Sequence, residues 1–211
     1  MQKLFNINHL IILGCLCLIL SGCTYAPYRY SFSLVEPESE IHQDDEVGQA
    51  LKFEDSNIQF RFLPSPEKIW VAIRNKTDKE INLVRDKAEF IDHLGKTYTI
   101  LYGYSGRNFE DMINLFANND RYISPMRIDP GSEITGHVWI NTYLDLVTMQ
   151  DWSRVKSVDI SYSLNPFFPR NKNDGMGEEL KDSTFRLILP IDLDGHISNY
   201  TFTFKINDVT E

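Results

Sequence analysis

Two short serine motifs are the first candidates for chemistry in this chain. Ser65 and Lys68 are three residues apart, the spacing at which a helix would place a lysine beside a serine nucleophile. Pro66 lies between them, however, and alternating apolar residues on both sides predict a turn between two strands. Ser105 in Gly103-Tyr-Ser-Gly106 lacks the spacing of a nucleophile elbow. Both motifs are interpreted as turns, and we assign no catalytic residue.

Histidines and paired acids could bind a metal, but their spacing does not favour it. The histidines after residue 22 are His42, His93, His137 and His196, and no two of them are close enough to form a ligand pair. Asp192 and Asp194 flank a turn at Gly195, but two carboxylates fall short of the six to eight oxygens that Ca²⁺ takes. The pattern indicates a β-hairpin. We expect no metal and no cofactor.

The three tryptophans are the remaining candidates for ligand binding. Trp70 and Trp139 fall within predicted strands, and Trp152 follows a less regular segment. A large aromatic residue in a strand usually packs in the core or against a cross-strand neighbour. Packing is the favoured interpretation, and a ligand groove is the alternative.

Composition narrows the class of partner. The formal net charge is −9, from 30 acidic and 21 basic residues, whereas binding to nucleic acid needs clustered lysine and arginine. All three cysteines, Cys15, Cys17 and Cys23, precede residue 24. The remainder therefore has no disulfide, no thiol nucleophile and no cysteine-ligated metal. We expect no nucleic-acid partner and a domain that is stabilised by its core alone.

The first 23 residues have the composition of an export signal. Lys3 precedes an apolar stretch at residues 10–20, which as a helix would rise about 16 Å against the roughly 30 Å of a bilayer core. The stretch is too short to span a membrane. A basic start, a short apolar segment and small residues at its end are typical of a secretory signal peptide.

The end of that segment, Leu20-Ser21-Gly22-Cys23, resembles the lipobox of bacterial lipoproteins. The resemblance implies cleavage after residue 22 and a diacylglyceryl thioether on Cys23. Two or three acyl chains on one residue would anchor the protein stably in a membrane. Thr24 stands where an aspartate favours inner-membrane retention in enterobacterial lipoproteins. The resemblance therefore implies a lipid-anchored protein of the cell envelope, at the outer membrane where the organism has one.

Residues 23–50 are interpreted as the lipidated N-terminus and a flexible acidic tether. They contain two prolines and an acidic cluster between Glu36 and Glu46, and like charges oppose collapse. A coil of this length would reach on the order of 30 Å. The aromatic residues near its start, Tyr25, Tyr28, Tyr30 and Phe32, leave an alternative open, namely an additional edge strand.

The pattern of residues 51–211 predicts one antiparallel β-sandwich. Alternating apolar residues predict strands at 58–62, 69–73, 81–83, 98–102, 134–140, 155–164, 185–191 and 200–206. Turn signals recur every eight to twelve residues, which is typical of a sandwich and not of a parallel sheet. The predicted fold class is all-β.

Two segments depart from this alternation and are the candidate binding loops. Helical spacing in residues 109–116 predicts a short amphipathic helix that carries Phe109 and Phe116, and residues 144–152 are a second helical candidate. Residues 165–182 combine prolines, glycines and charges around Phe167 and Phe168. We predict a long mobile loop with this phenylalanine pair exposed.

Residues 70–100 add a second resemblance. The strand, the Asn75-Lys-Thr-Asp78 turn, the next strand and the Phe90-Ile-Asp-His-Leu-Gly-Lys96 segment resemble Ig-like domains of small bacterial lipoproteins. Residues 128–132, Ile-Asp-Pro-Gly-Ser, resemble the turn before a later strand of those domains. The resemblance implies an Ig-like sandwich and supplies no catalytic residues.

From the sequence we expect a membrane-anchored binding or scaffolding module that has no catalytic activity. Its expected partner is an envelope protein. A surface-exposed adhesin or antigen is an alternative with the same fold. An envelope hydrolase is a further alternative, which would require acids or histidines to converge in one pocket.

Lipidation of Cys23 is directly testable. We expect Cys23→Ala to abolish labelling by a fatty-acid analogue, because Cys23 is the only cysteine at the lipobox position, and to release or stall the precursor. Labelling followed by gel analysis measures this, and Cys17→Ala is the matched control. A Cys23→Ala protein that keeps its label would refute the lipobox assignment.

Overall fold

The computed structural model describes residues 26–37, 50–103, 124–140 and 166–211. Eleven strands lie within these ranges, all in antiparallel pairs. In chain order they are β1 Arg29–Glu36, β2 Leu51–Glu54, β3 Ile58–Pro64, β4 Ile69–Asn75, β5 Ile81–Leu83, β6 Glu89–Ile91, β7 Thr97–Gly103, β8 Met126–Ile128, β9 Glu133–Ile140, β10 Thr184–Leu193 and β11 His196–Thr210. Two single-turn 3-10 helices lie at Arg85–Lys87 and Gly177–Leu180. The predicted all-β antiparallel sandwich is confirmed.

The strands form one nearly closed sheet folded into two layers. Their order is β1-β11-β10-β6-β7-β9-β4-β3-β2, with β5 pairing with β10 and with β8. One layer contains β1, β11, β10, β6, β5 and β8, and the other contains β2, β3, β4 and β9. Strand β7 pairs with both β6 and β9 and so joins the layers. The edge strands β1 and β2 border the seam where the sheet is not closed.

Buried and more exposed residues alternate along the strands, and this alternation gives each layer an apolar face that packs against the other layer. In β3, Ile58, Phe60 and Phe62 are fully buried while the residues between them are half-exposed. In β11, Phe202 and Phe204 are buried in the same way. Because successive side chains in a strand point to opposite faces, each strand gives one apolar face to the core.

Aromatic rings fill the space between the layers. The ring centroids of Phe62 and Phe202 are 4.6 Å apart, and those of Phe60 and Phe202 are 4.8 Å apart. The cluster continues through Phe204 and Phe185, which stack at 5.0 Å. Since β3 lies in one layer and β10 and β11 in the other, these contacts bind the two layers together.

Side chains close the seam where the edge strands do not pair. The Phe53 ring of β2 lies 5.5 Å from that of Phe202. The Tyr200 hydroxyl donates a hydrogen bond of 3.0 Å to Asp55 Oδ2, on the turn after β2. Burial and the nearby Asp55 carboxylate raise the pKa of Tyr200, so the neutral phenol that donates this bond persists at alkaline pH.

The N-terminal region departs from the tether interpretation. Residues 29–36 form β1, which pairs with β11 from Arg29↔Thr210 to Glu36↔Thr203. Tyr30 and Phe32 lie half-buried against the core. The edge-strand alternative is therefore the one that the structure shows, and the sheet domain begins well before residue 51. Residues 38–49 of the acidic segment lie outside the described ranges.

The sandwich has two distinguishable ends. Tyr28, the β3–β4 turn at residues 65–68 and the 3-10 helix Gly177–Leu180 lie together at one end, because the Tyr28 N–H donates to Arg170 O and the Phe167 N–H donates to Pro66 O. We call this the N-terminal end. The turns at residues 55–57, 76–80 and 194–195 lie at the other, which we call the distal end. Strand β11 runs from the distal end to the N-terminal end.

The aromatic cluster predicts a large stability effect. Phe202→Ala removes a fully buried ring that contacts Phe53, Phe60 and Phe62, and should lower the free energy of unfolding by about 3–5 kcal/mol. Urea unfolding measures the change. Ile197→Ala, on the same strand but 40% exposed, is the control and should cost about 0.5 kcal/mol or less. Equal losses in the two variants would contradict this account of the core.

Candidate functional site

The distal end carries a cleft of about 340 Å³, formed where three turns meet. Asparagine, aspartate, threonine and glycine favour such turns because their side chains bond nearby backbone or their backbone tolerates positive φ. Asp194 and Gly195 both have positive φ, 55° and 82°, as a two-residue hairpin requires. The residues that line the cleft are Ser56, Asn57, Thr77, Asp78, Lys79, Glu80, Ile81, Leu193 and Asp194.

A buried asparagine organises the largest of these turns. Asn75 is fully buried at the end of β4. Its Nδ2 donates to Lys79 O at 2.6 Å and to Ile128 O at 3.0 Å. Its Oδ1 accepts the Thr77 N–H at 2.9 Å and the Thr77 hydroxyl at 2.7 Å. One amide thus folds residues 76–80 back on themselves and ties them to β8.

Lys76 and Asp55 connect this turn to the next one. Lys76 Nζ donates to Glu54 Oε1 and to Asp55 O, each at 2.6 Å. Asp55 Oδ1 accepts the N–H groups of Asn57 and Ile58, each at 2.8 Å. Hydrogen bonds from Lys76, then Lys52 and Gln59, lower the pKa of Glu54 to about 2. The turns at residues 55–57 and 76–80 are therefore held in a fixed relation.

The cleft lining is polar and acidic above an apolar floor. Three carboxylates, those of Asp78, Glu80 and Asp194, and one ammonium group, that of Lys79, line the cleft. Lys79 Nζ donates to Asp194 Oδ2, and Asp194 raises the pKa of Lys79. Glu80 pairs with Arg127 at 2.9 Å. Ile81 and Leu193, which are direct cross-strand partners, form the floor.

This arrangement suits binding better than bond cleavage. Hydroxyl, amide and carboxylate groups offer hydrogen bonds and attract positive charge, but no histidine or cysteine lies among the lining residues to act with a nucleophile. Within the described ranges, no cluster of three histidine, cysteine, aspartate or glutamate side chains is placed to hold a metal. A polar or cationic group of a partner is the chemistry that fits.

The turns predicted from the serine motif and from Gly195 are present. Ser65 Oγ donates to Lys68 O at 2.6 Å across the β3–β4 turn, so the serine is engaged within the turn itself. Asp192 Oδ1 accepts the Gly195 N–H at 2.7 Å, and Asp192 does not line the cleft. His93 and His196 are exposed, at opposite ends of the sandwich.

The phenylalanine pair of the predicted binding loop is not exposed. Phe167 is 9% exposed and Phe168 is 2% exposed. Phe167 lies 4.5 Å from Phe90, and Phe168 lies 5.0 Å from Phe185, between ring centroids. The prediction that this pair is exposed is wrong, because both rings complete the core at the N-terminal end. Phe109, Phe116, Cys23 and Trp152 lie outside the described residues.

Two tryptophans and a histidine form a separate patch on the sheet face opposite the core. Trp70 and His137 are cross-strand partners, and the His137 ring lies 5.6 Å from that of Trp139. The Arg61 guanidinium lies 5.8 Å from the Trp70 ring centroid and bonds Glu133 at 2.7 Å. Burial, then Lys68, lowers the pKa of His137. Because Arg61 covers the face of the Trp70 ring, cross-strand packing explains the Trp70–His137 pair.

Comparisons with known proteins assign no relatives: no family model matches the chain, and no curated protein or solved structure matches it. None of the described helices has the length and apolarity needed to cross a bilayer. The molecule is therefore defined by its fold and its cleft, as an all-β antiparallel sandwich with a polar cleft at its distal end.

The cleft depends on Asn75, which gives a testable prediction. Asn75→Ala leaves the carbonyls of Lys79 and Ile128 without this donor and should lower the free energy of unfolding by roughly 2–3 kcal/mol. Hydrogen exchange of residues 76–80 should also accelerate. Asn199→Ala, at an exposed position of β11, is the matched control. Unchanged exchange in Asn75→Ala would show that the amide does not hold the turn.

Proposed function

We propose that the protein is a membrane-anchored cell-envelope lipoprotein that acts as a binding or scaffolding module without catalytic activity. The anchor would be the lipidated Cys23, and the contact surface would be the distal cleft. The observation that carries the proposal is the position of this cleft. It lies at the end of the sandwich opposite Tyr28, which is five residues from Cys23 in the chain.

Three features of the cleft support a role in binding. It is assembled from turns held by Asn75, Lys76 and Asp55, so its shape exists before a partner arrives, which lowers the entropic cost of binding. Its acidic lining attracts a positively charged group and, through the field of the surface, accelerates encounter. Its apolar floor offers a contact for an aliphatic segment of the same partner.

The partner that these features favour is an envelope protein presenting a lysine or arginine side chain from an exposed segment. Turns at the end of a sandwich commonly present binding residues because the strands beneath them are rigid. A surface-exposed adhesin would use the same cleft from the outer face of the cell. Protease treatment of intact cells distinguishes the two, since only a surface-exposed domain would be degraded.

The hydrolase alternative receives less support from the described residues. Of the histidines and paired acids noted in the sequence, only Asp194 lines the cleft, and it is engaged by Lys79. A binding role needs no further group, whereas hydrolysis needs a nucleophile and a base in contact.

Site-specific photocrosslinking in living cells tests the proposal. A photoreactive amino acid at Ser56, an exposed and uncharged residue of the cleft lining, should give a discrete adduct with an envelope protein. The same amino acid at Thr201, exposed on β11, is the matched control and should give none. The adduct should weaken with added salt, because charge contributes to the contact. The absence of an adduct at residue 56, or the same adduct at both positions, would contradict the proposal.

A further inference from the structure

The N-terminal end is fixed to the chain close to Cys23. Tyr28 is 5% exposed, its N–H donates to Arg170 O at 2.8 Å, and its hydroxyl donates to Glu178 Oε2 at 2.6 Å. A Cβ at Gly177 would approach the Tyr28 ring to 2.7 Å, so the backbone there is closely packed on the tyrosine. Five residue steps separate Cys23 from this fixed point, and they span at most about 18 Å.

The two most exposed large apolar side chains of the described residues lie at this same end. Leu94 is 81% exposed and Met176 is 67% exposed, whereas Val35 and Ile197 are 41% and 40% exposed. Met176 directly precedes Gly177, which packs on Tyr28. Leu94 is at the tip of the β6–β7 turn, and β6 runs antiparallel to β10, which leads to the distal end. At the end that the anchor would hold close to the bilayer, these two side chains are apolar groups available to enter the headgroup region.

The turn that carries Leu94 is rigid. Asp92 Oδ1 accepts the N–H groups of Leu94 and Lys96, each at 2.9 Å, and Gly95 adopts a φ of +81°. The Leu94 side chain is thus held out by a structured turn. His93 and Lys96 flank it, which places polar and basic groups beside the apolar tip. An apolar side chain flanked by polar and basic residues is typical of segments that enter the headgroup region of a bilayer.

Several carboxylates at the N-terminal end are paired with basic groups. Lys172 contacts Glu178 at 4.0 Å and also bonds Glu211. Arg170 pairs with Glu67 at 3.1 Å. This pairing reduces the repulsion that these carboxylates would otherwise meet at an anionic membrane surface.

From these observations we propose that the N-terminal end of the sandwich rests on the lipid bilayer, with Leu94 and Met176 in the headgroup region and the distal cleft directed away from the membrane. The proposal rests on the lipid anchor of the proposed function and adds the orientation of the domain. Strand β11 runs between the two ends over about 45 Å. The cleft is therefore held outside the headgroup layer without a long tether.

Fluorescence in vesicles tests the orientation with two matched positions. In the lipidated full-length protein, His93→Cys and His196→Cys each introduce one reactive thiol, because the mature chain contains no cysteine besides Cys23. Each is labelled with an environment-sensitive dye and reconstituted into vesicles of phosphatidylethanolamine and phosphatidylglycerol that contain a headgroup nitroxide lipid. We expect a blue shift and several-fold stronger quenching at residue 93, and an aqueous spectrum at residue 196.

A charge substitution then tests the apolar tips. Leu94→Asp combined with Met176→Asp should abolish the blue shift at residue 93, since carboxylates are expelled from the headgroup boundary, while circular dichroism remains unchanged. The matched control combines Val35→Asp with Ile197→Asp, the other two exposed apolar positions, and should retain the shift.

The outcomes separate this proposal from the one it rests on. Equal quenching at residues 93 and 196 in vesicle-bound protein would overturn the orientation and leave the anchor intact. A blue shift that survives Leu94→Asp with Met176→Asp would overturn the role of the tips. Protein that does not sediment with vesicles and carries no fatty acid would overturn the anchor itself, and the orientation with it.

Discussion

Contact between aromatic rings of opposite layers is the interaction on which this structure depends. Hydrogen bonds join the two layers through β7, but β1 and β2 do not pair, so elsewhere the layers are held together by the side chains between them. Phe60 and Phe62 of one layer meet Phe202 and Phe204 of the other. Each ring buries a large apolar area, and their edge-to-face geometry adds specificity to the packing. The domain achieves this without a disulfide.

Both surfaces that we propose to be functional lie at the ends of the sandwich, because the inner faces of the layers are committed to the core. At the distal end, a single buried amide and a bridging lysine arrange the turns into a cleft. At the N-terminal end, Tyr28 and Gly177 close the sandwich, while Leu94 and Met176 stay outside it. The same antiparallel strands position the turns at both ends, because successive turns of an antiparallel sheet lie at alternate ends. The turn residues that each connection carries therefore set the chemistry of each end.

Alternation in the sequence was sufficient to predict β3, β4, β7 and β11, because one face of each is buried. It also marks β1, where Tyr30, Phe32 and Leu34 alternate, but the neighbouring acidic cluster favoured a tether over the edge strand. The burial of Phe167 and Phe168 had no such signal, since composition describes a loop and not what it docks against. The cleft could not be predicted from the sequence either. Strand order in the sheet brings residues 55–57, 76–80 and 194–195 together, and local sequence patterns do not specify that order.

Pairing between β1 and β11 has a consequence for how the protein is made. Arg29 and Thr210 are direct partners, so the first described strand bonds with the last described strand, about 180 residues further along the chain. Until the ribosome has released the final residues, the edge of β1 and the aromatic faces have no complete partner. Such long-range pairing folds slowly and leaves strand edges open to aggregation. A chain with this topology can complete its sheet only after the whole of β11 has been synthesised.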